Sequence, residues 1–90
     1  MENIPPLLSV KILPLYNRGG YMKKLAIRLK ELREERGLSQ MAAGTALGVS
    51  RSTIAGYETK GREPDVHMLI TMADFYNVSM DYLVGRKDEK

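Results

Sequence analysis

The sequence predicts an all-α fold of five short helices, and three features indicate it. From Leu25 onward, apolar residues recur at helical spacing, as in Leu25, Leu29 and Leu32, with good helix formers between them. Each later helical segment follows a Ser or Asp, residues that cap helix N-termini. Most segments end at Gly or Asn, which tolerate the left-handed backbone of a helix C-terminus. The connections are only a few residues long, which favours one compact domain.

The first two helices are separated by a glycine. The first runs from Leu25 and ends at Gly37, where the helical spacing of apolar residues stops. Ser39 then caps a second helix over about 40–47, and Gly48 ends it.

A very short connection, Gly48-Val49, leads to the third helix. Ser50 caps this helix, which covers about 51–58. Such a connection suits a steep crossing of the second and third helices, as in a helix-turn-helix motif. Gly44 lies in the middle of the second helix and costs about 1 kcal/mol relative to Ala. We therefore expect the third helix to pack where a larger side chain would clash.

Two further helices follow the loop TKGREP. Asp65 caps the fourth, which ends at Asn77, and Ser79 caps a short fifth that Gly85 stops. The remaining residues, RKDEK, are predicted to be a solvated tail. The buried face of the fourth helix is expected to contain Val66, Leu69, Ile70, Ala73 and Phe75.

The N-terminal segment differs in composition from the rest of the chain. Residues 1–21 hold three of the four prolines, so we interpret them as a flexible arm or a short strand at SVKIL. In a second interpretation translation begins at Met22, because codons for Arg18-Gly19-Gly20 can form a purine-rich run like a bacterial ribosome-binding site. The predicted organisation is an arm at 1–21, a domain at 22–85 and a charged tail at 86–90.

Composition narrows the classes of function. The formal charge of +3 favours anionic partners mildly, and the absence of Cys fits a reducing, cytoplasmic location. No apolar run approaches the roughly 20 residues of a membrane span, so no membrane partner is expected. With no Cys, one His, no paired carboxylates in a plausible cleft and no GxxxxGK loop, we expect neither an enzyme nor a bound metal or cofactor.

Four segments, in order, carry a family resemblance: LKELREERGLSQ, LGVSRSTIAGYE, GREPD and ADFYNVSMDYLVG. Through them residues 25–85 resemble the Cro/repressor-type, or lambda repressor-like, helix-turn-helix domains of bacteria and phages. The resemblance implies a five-helix DNA-binding domain in a transcriptional regulator. It further implies a repressor that binds a pseudo-palindromic operator in double-stranded DNA as a homodimer. The alternative is an antitoxin or other protein-interaction module, whose N-terminal arm would contact a protein partner.

The resemblance also implies which residues contact DNA. Gln40 is similar to a glutamine that bonds a phosphate and supports the start of the recognition helix, the third. Arg51 is expected to read a base, because a guanidinium can bond guanine bidentately, while Lys60 and Arg62 are expected at phosphates. Gly56 occupies a position that often carries a long polar side chain, so either one base-reading side chain is missing or the backbone approaches the DNA more closely, and few direct base contacts are expected. The complete expected set is Gln40, Ser50, Arg51, Ser52, Thr53, Gly56, Lys60 and Arg62.

Two other groups have structural roles in the family. Arg33 and Glu58 match a partly buried ion pair between the first helix and the end of the third. The final helix commonly forms the dimer interface. The residues expected at that interface are Met80, Tyr82, Leu83 and Val84.

Overall fold

A computed structural model describes residues 21–90 of the chain. Within this range the chain is all-helical, as predicted, and contains no strand. The helices are α1 (Tyr21–Glu35), α2 (Gln40–Leu47), α3 (Arg51–Thr59), α4 (Val66–Tyr76) and α5 (Met80–Leu83). Of the expected arm, residues 1–20 and the strand at SVKIL lie outside the described range, and Tyr21 is the first residue of α1. None of the helices described is long and apolar enough to cross a bilayer.

Side-chain caps begin α2 to α5, as the sequence predicts. Ser39, Ser50, Asp65 and Ser79 all have extended backbone, and the side chain of each accepts a hydrogen bond from the N–H three residues later. Each cap satisfies one of the N–H groups that the first turn of a helix leaves unpaired. The four helix starts are therefore determined locally.

The backbone of the turn between α2 and α3 packs closely against Gly44 of α2. Gly48 has a φ of 79°, in the left-handed region, and its N–H and that of Val49 both donate to the carbonyl of Gly44. A Cβ on Gly44 would lie 2.6 Å from the carbonyl oxygen of Val49 and 3.2 Å from the carbonyl carbon of Ser50. The mid-helix glycine is thus required for packing, as expected. The atoms it admits belong to the turn and the α3 cap, not to the body of α3.

The core is formed by all five helices around the leucines of α1. Leu25, Met72 and Leu83 have almost no exposed surface. Helix α1 contacts α3 and α5, while α4 contacts α2 and α5, so every helix shares in one core. The buried apolar residues are Leu25, Leu29, Leu32, Ala43, Leu47, Ile54, Tyr57, Met72, Ala73, Tyr76, Tyr82 and Leu83.

The buried face of α4 differs from the prediction. Val66 is 67% exposed and Ile70 is 47% exposed, so neither belongs to the core. Two neighbouring stripes of this helix are apolar, and the sequence pattern did not distinguish them. The stripe that packs on α2 and α5 places its side chains about 100° away from the other. It contains Leu69, Met72, Ala73 and Tyr76.

Two of the four residues expected at a dimer interface are buried within their own chain. Leu83 is 0% and Tyr82 8% exposed, so both residues close the core of their own chain. The guanidinium of Arg28 in α1 lies 4.1 Å from the centre of the Tyr82 ring. Helix α5 has only four residues, and its two buried residues, Tyr82 and Leu83, both pack on the core. Only Met80 and Val84 of the expected set remain partly exposed.

The C-terminal tail is exposed, as predicted, but two of its charged side chains pair with α1. Arg28 donates to the carbonyl of Lys87 at 2.7 Å and pairs with the carboxylate of Asp88 at 3.2 Å. Lys90 pairs with Glu35 at 3.0 Å, and this bond raises the pKa of Lys90. The tail therefore remains exposed while it is bonded to α1 and to the start of α5.

Candidate nucleic-acid interface

One side of α3 is held in the core and the opposite side faces solvent. Ile54 and Tyr57 are buried on the inner side. Residues 51, 55 and 59 follow the i, i+4, i+8 spacing that places side chains in one row along a helix. The outer side, here called the open stripe, consists of Arg51, Ser52, Ala55 and Thr59.

The open stripe includes two residues that the family resemblance did not indicate. Ala55 is partly exposed and Thr59 is exposed. Their signal in the sequence was the helical spacing from Arg51. The Ala55 methyl can make an apolar contact, such as one with the methyl group of thymine. The hydroxyl of Thr59 instead donates to the carbonyl of Ala55 at 2.8 Å, so its polar group is engaged within the helix.

Three hydroxyl groups expected at the DNA interface cluster at the N-terminus of α3. The Ser50 hydroxyl accepts from the Thr53 N–H at 3.1 Å, and lies 3.0 Å from the Ser52 hydroxyl and 2.9 Å from that of Thr53. These bonds form a local cap, a common arrangement for hydroxyl side chains near a helix start. Ser52 remains exposed, whereas Thr53 is only partly exposed.

Gly56 is not open to solvent, which corrects the expectation that it faces DNA directly. A Cβ at this residue would lie 3.3 Å from Cδ and 3.5 Å from Cβ of Arg62. The loop after α3 turns back at Gly61, whose φ of 69° is left-handed. Gly56 is therefore covered by a side chain from the loop of its own molecule.

The head of Arg62 lies beside α3. Its Nη1 is 3.4 Å from the Thr53 hydroxyl, and its guanidinium carbon is 5.8 Å from the centre of the Tyr57 ring. The residue as a whole is exposed, and so is Lys60 in the same loop. The loop thus adds two cations to the surface next to the open stripe.

Gln40, the first residue of α2, contacts the end of α3 and not its start. Its Nε2 donates to Oε1 of Glu58 at 3.3 Å. Arg33 of α1 binds the same carboxylate through Nε at 2.8 Å and Nη2 at 3.0 Å, and its Nη1 donates to the carbonyl of Leu38 at 2.8 Å. Gln40 was expected to support the start of the recognition helix, but it contacts the C-terminal turn instead. At that turn the Glu58 carboxylate of α3 binds Arg33 of α1 and Gln40 of α2.

The Arg33–Glu58 pair is almost fully enclosed. The side chains are 10% and 2% exposed. The hydrogen bond to Glu58 raises the pKa of Arg33 above its usual value, and burial opposes this shift in part. Both side chains find their hydrogen-bond partners in each other and in neighbouring residues of the same molecule. Their arrangement is that of a structural pair that orients α3.

The sequence matches the helix-turn-helix family over residues 29–83, from within α1 to the end of α5. It is 42% identical over 65 residues to the HTH-type transcriptional regulator ImmR of Bacillus subtilis strain 168, covering 72% of this chain and 50% of ImmR. It is 38% identical over 63 residues to the HTH-type transcriptional regulator AnsR of the same organism, covering 70% of this chain and 54% of AnsR. The chain thus spans about half the length of these relatives.

A solved structure has a similar fold. The P22 c2 repressor protein, crystallised in complex with synthetic operator 9T in the presence of Tl⁺, superposes with a TM-score of 0.62 and 29% sequence identity. The match covers 66% of this chain and 89% of the repressor chain.

Proposed function

This chain belongs to the helix-turn-helix family, and we propose that it is a sequence-specific DNA-binding transcriptional regulator. The observation that carries the proposal is the open stripe of α3, which faces solvent while the opposite side of the helix is held in the core. An α-helix fits the major groove of B-DNA, where base edges can be read. The names of the related regulators and the operator complex of the P22 c2 repressor support the same function.

The residues of the surface would divide into two roles. Arg51, exposed at the first position of α3, would bond a guanine, and Ala55 would contact a thymine methyl group. Gln40, at the N-terminus of α2, and Lys60, in the loop, would contact phosphates and hold α3 in register. Phosphate contacts supply affinity, whereas base contacts supply specificity.

In its finer form the proposal is a cytoplasmic repressor that acts as a homodimer on a pseudo-palindromic operator. Two symmetric copies of α3 would meet half-sites about 34 Å apart, one turn of DNA. Met80 in α5 and Val84 at its C-cap, the two apolar residues there that are partly exposed, would contribute to the interface between copies. Repression would result from occlusion of the promoter.

Selection from a random DNA pool at about 50 mM and about 200 mM salt tests this proposal. We expect enrichment of one motif with two-fold symmetry, and a salt dependence whose slope counts the phosphates neutralised. Arg51→Ala should relax the preference at one base of each half-site. Sedimentation of the protein with and without the selected DNA measures the number of copies bound.

The DNA-binding regulator and the homodimer would be contradicted by different results. If no motif is enriched at either salt concentration, the DNA-binding regulator is excluded in favour of a protein-interaction module. If an asymmetric motif is bound by one copy, the regulator stands and the homodimer on a palindrome is wrong.

A further inference from the structure

The loop after α3 is attached to the helix through its backbone. The carbonyl of Gly56 accepts hydrogen bonds from the N–H groups of both Lys60 and Arg62, each at 3.1 Å. Gly61 lies between the two donors in the left-handed conformation, which a residue with a Cβ rarely adopts. The start of the Arg62 side chain is therefore positioned at α3 independently of its charge.

From this point the Arg62 side chain runs across the surface of α3. Its Cβ and Cδ occupy the space next to Gly56 that a side chain at residue 56 would fill. Its guanidinium ends beside Thr53, one turn closer to the N-terminus of the helix. The N-terminal part of a recognition helix is the part that contacts base edges. The charged group thus lies beside the N-terminal half of α3 at Thr53, with the centre of the Tyr57 ring 5.8 Å from its central carbon.

We propose that Arg62 reads a guanine in the major groove, and that Gly56 provides the seat for its side chain on α3. This inference rests on the proposed function and assigns Arg62 to specificity instead of to phosphate binding. A guanidinium has five N–H donors, and the long bond to Thr53 involves only one of its terminal nitrogens. Donors therefore remain for O6 and N7 of guanine. The loop would supply the long polar side chain that α3 lacks at residue 56.

Lys60 shows why the two cations of the loop differ. A phosphate contact requires charge and reach, and exposed Lys60 has both. The stem of Arg62 is in addition packed against the helix, and its head lies near the Thr53 hydroxyl and the Tyr57 ring. A planar guanidinium beside the helix suits the directional, two-bond recognition of one base better than an ammonium group, which has no fixed pair of donors.

The test is selection from a random DNA pool with the full chain and three variants. Arg62→Lys preserves charge but removes the planar donor pair. Gly56→Leu preserves Arg62 but fills its seat. Lys60→Ala is the matched control, because it removes a cation from the same loop without touching the seat. Circular dichroism of each protein verifies that the helices are retained.

We expect Arg62→Lys to lose preference for guanine at one position of each half-site, by roughly 5- to 150-fold, with the salt slope unchanged. Gly56→Leu should lose preference at the same position. Lys60→Ala should keep the motif, weaken binding to all sequences alike, and reduce the salt slope by about 1.

The outcomes separate this inference from the proposed function. If the unaltered chain selects a motif and Arg62→Lys selects the same motif with equal preference, the base-reading role is wrong and the regulator stands. If Gly56→Leu retains the guanine preference that Arg62→Lys loses, the seating role of Gly56 is wrong. If the unaltered chain selects no motif, both the inference and the proposed function are overturned.

Discussion

The two junctions that flank α3 use a helical glycine in different ways. Before α3, Gly44 leaves room for backbone, since a Cβ there would lie 2.6 Å from the carbonyl oxygen of Val49. After the start of α3, Gly56 leaves room for a side chain, since a Cβ would lie 3.3 Å from Cδ of Arg62. A turn cannot move without losing its hydrogen bonds, whereas a flexible side chain can adopt another rotamer. Gly44 is therefore needed for the fold, whereas Gly56 determines where the Arg62 side chain lies on the surface of α3.

The junctions differ in their polar contacts as well. The turn before α3 depends on backbone hydrogen bonds and the Ser50 cap. The C-terminal turn of α3 depends on side chains, because the Glu58 carboxylate is bound by Arg33 and Gln40. We expect the cost of a substitution to follow from what the residue touches: an enclosed charge, then backbone, then a movable side chain.

The largest effect is expected at the enclosed charge. Arg33→Ala would leave Glu58, whose side chain is 2% exposed, without its charged partner. The expected loss in free energy of unfolding is about 3 to 5 kcal/mol, the range for breaking a buried pair. Urea denaturation of both proteins measures it.

Two control variants refine the Arg33 result. Arg33→Lys should lose less, because it keeps the charge but not the two parallel bonds. The double variant Arg33→Ala/Glu58→Ala should be less destabilised than the sum of the two single variants. Additive losses would show that Arg33 and Glu58 are not energetically coupled, and that other contacts stabilise the C-terminal turn of α3.

The next largest effect is expected at the backbone contact. Gly44→Ala would force the turn away from α2 and should reduce the free energy of unfolding by about 1 to 3 kcal/mol. The gain of about 1 kcal/mol in helix propensity offsets part of the overpacking cost. Thermal and urea unfolding of the variant measure the net change. A stability equal to that of the unaltered chain would mean that the turn can shift freely.

The matched substitution at the second glycine should have a smaller and opposite effect. Gly56→Ala requires Arg62 to shift by a few tenths of an ångström, and it removes a glycine from a helix. We expect the free energy of unfolding to rise by up to about 1 kcal/mol. The same unfolding experiments compare the two alanine variants directly. If Gly56→Ala is as damaging as Gly44→Ala, the distinction between backbone and side-chain contacts is wrong.

The smallest effect is expected in the pH dependence of the free energy of unfolding, through Tyr76, which lies near Glu58. Burial, with the nearby Glu58 carboxylate, raises the pKa of Tyr76 above its usual value of about 10. The folded chain holds this proton more tightly than the unfolded chain, so the contribution to stability is complete below pH of about 10 and is lost as the pH rises further.

Tyr76→Phe cannot lose this proton and tests the pH effect. We expect the free energy of unfolding to fall less steeply above pH of about 10 in this variant than in the unaltered chain. Urea titrations at a series of alkaline pH values measure both slopes. Equal slopes would show that Tyr76 does not contribute to alkaline unfolding.

The sequence alone determined the local features of this protein. The caps at Ser39 and Ser50 and the left-handed residues Gly48 and Asn77 were recognised without tertiary information. These features depend on hydrogen bonds and backbone preferences within a few residues of chain. For that reason the order of the helices and the bounds of α2 to α5, to within one residue, followed from the pattern of residues, whereas the start of α1 at Tyr21 instead of Leu25 did not.

Tertiary structure alone decided which surfaces meet. The choice between two apolar stripes of α4, which leaves Val66 and Ile70 exposed, depends on the position of α2 and α5. The burial of Tyr82 depends on α1, and the cover that Arg62 forms over Gly56 depends on a loop that reverses the chain. Residues that are apolar or charged in a sequence have several partners open to them, and only packing in three dimensions selects one.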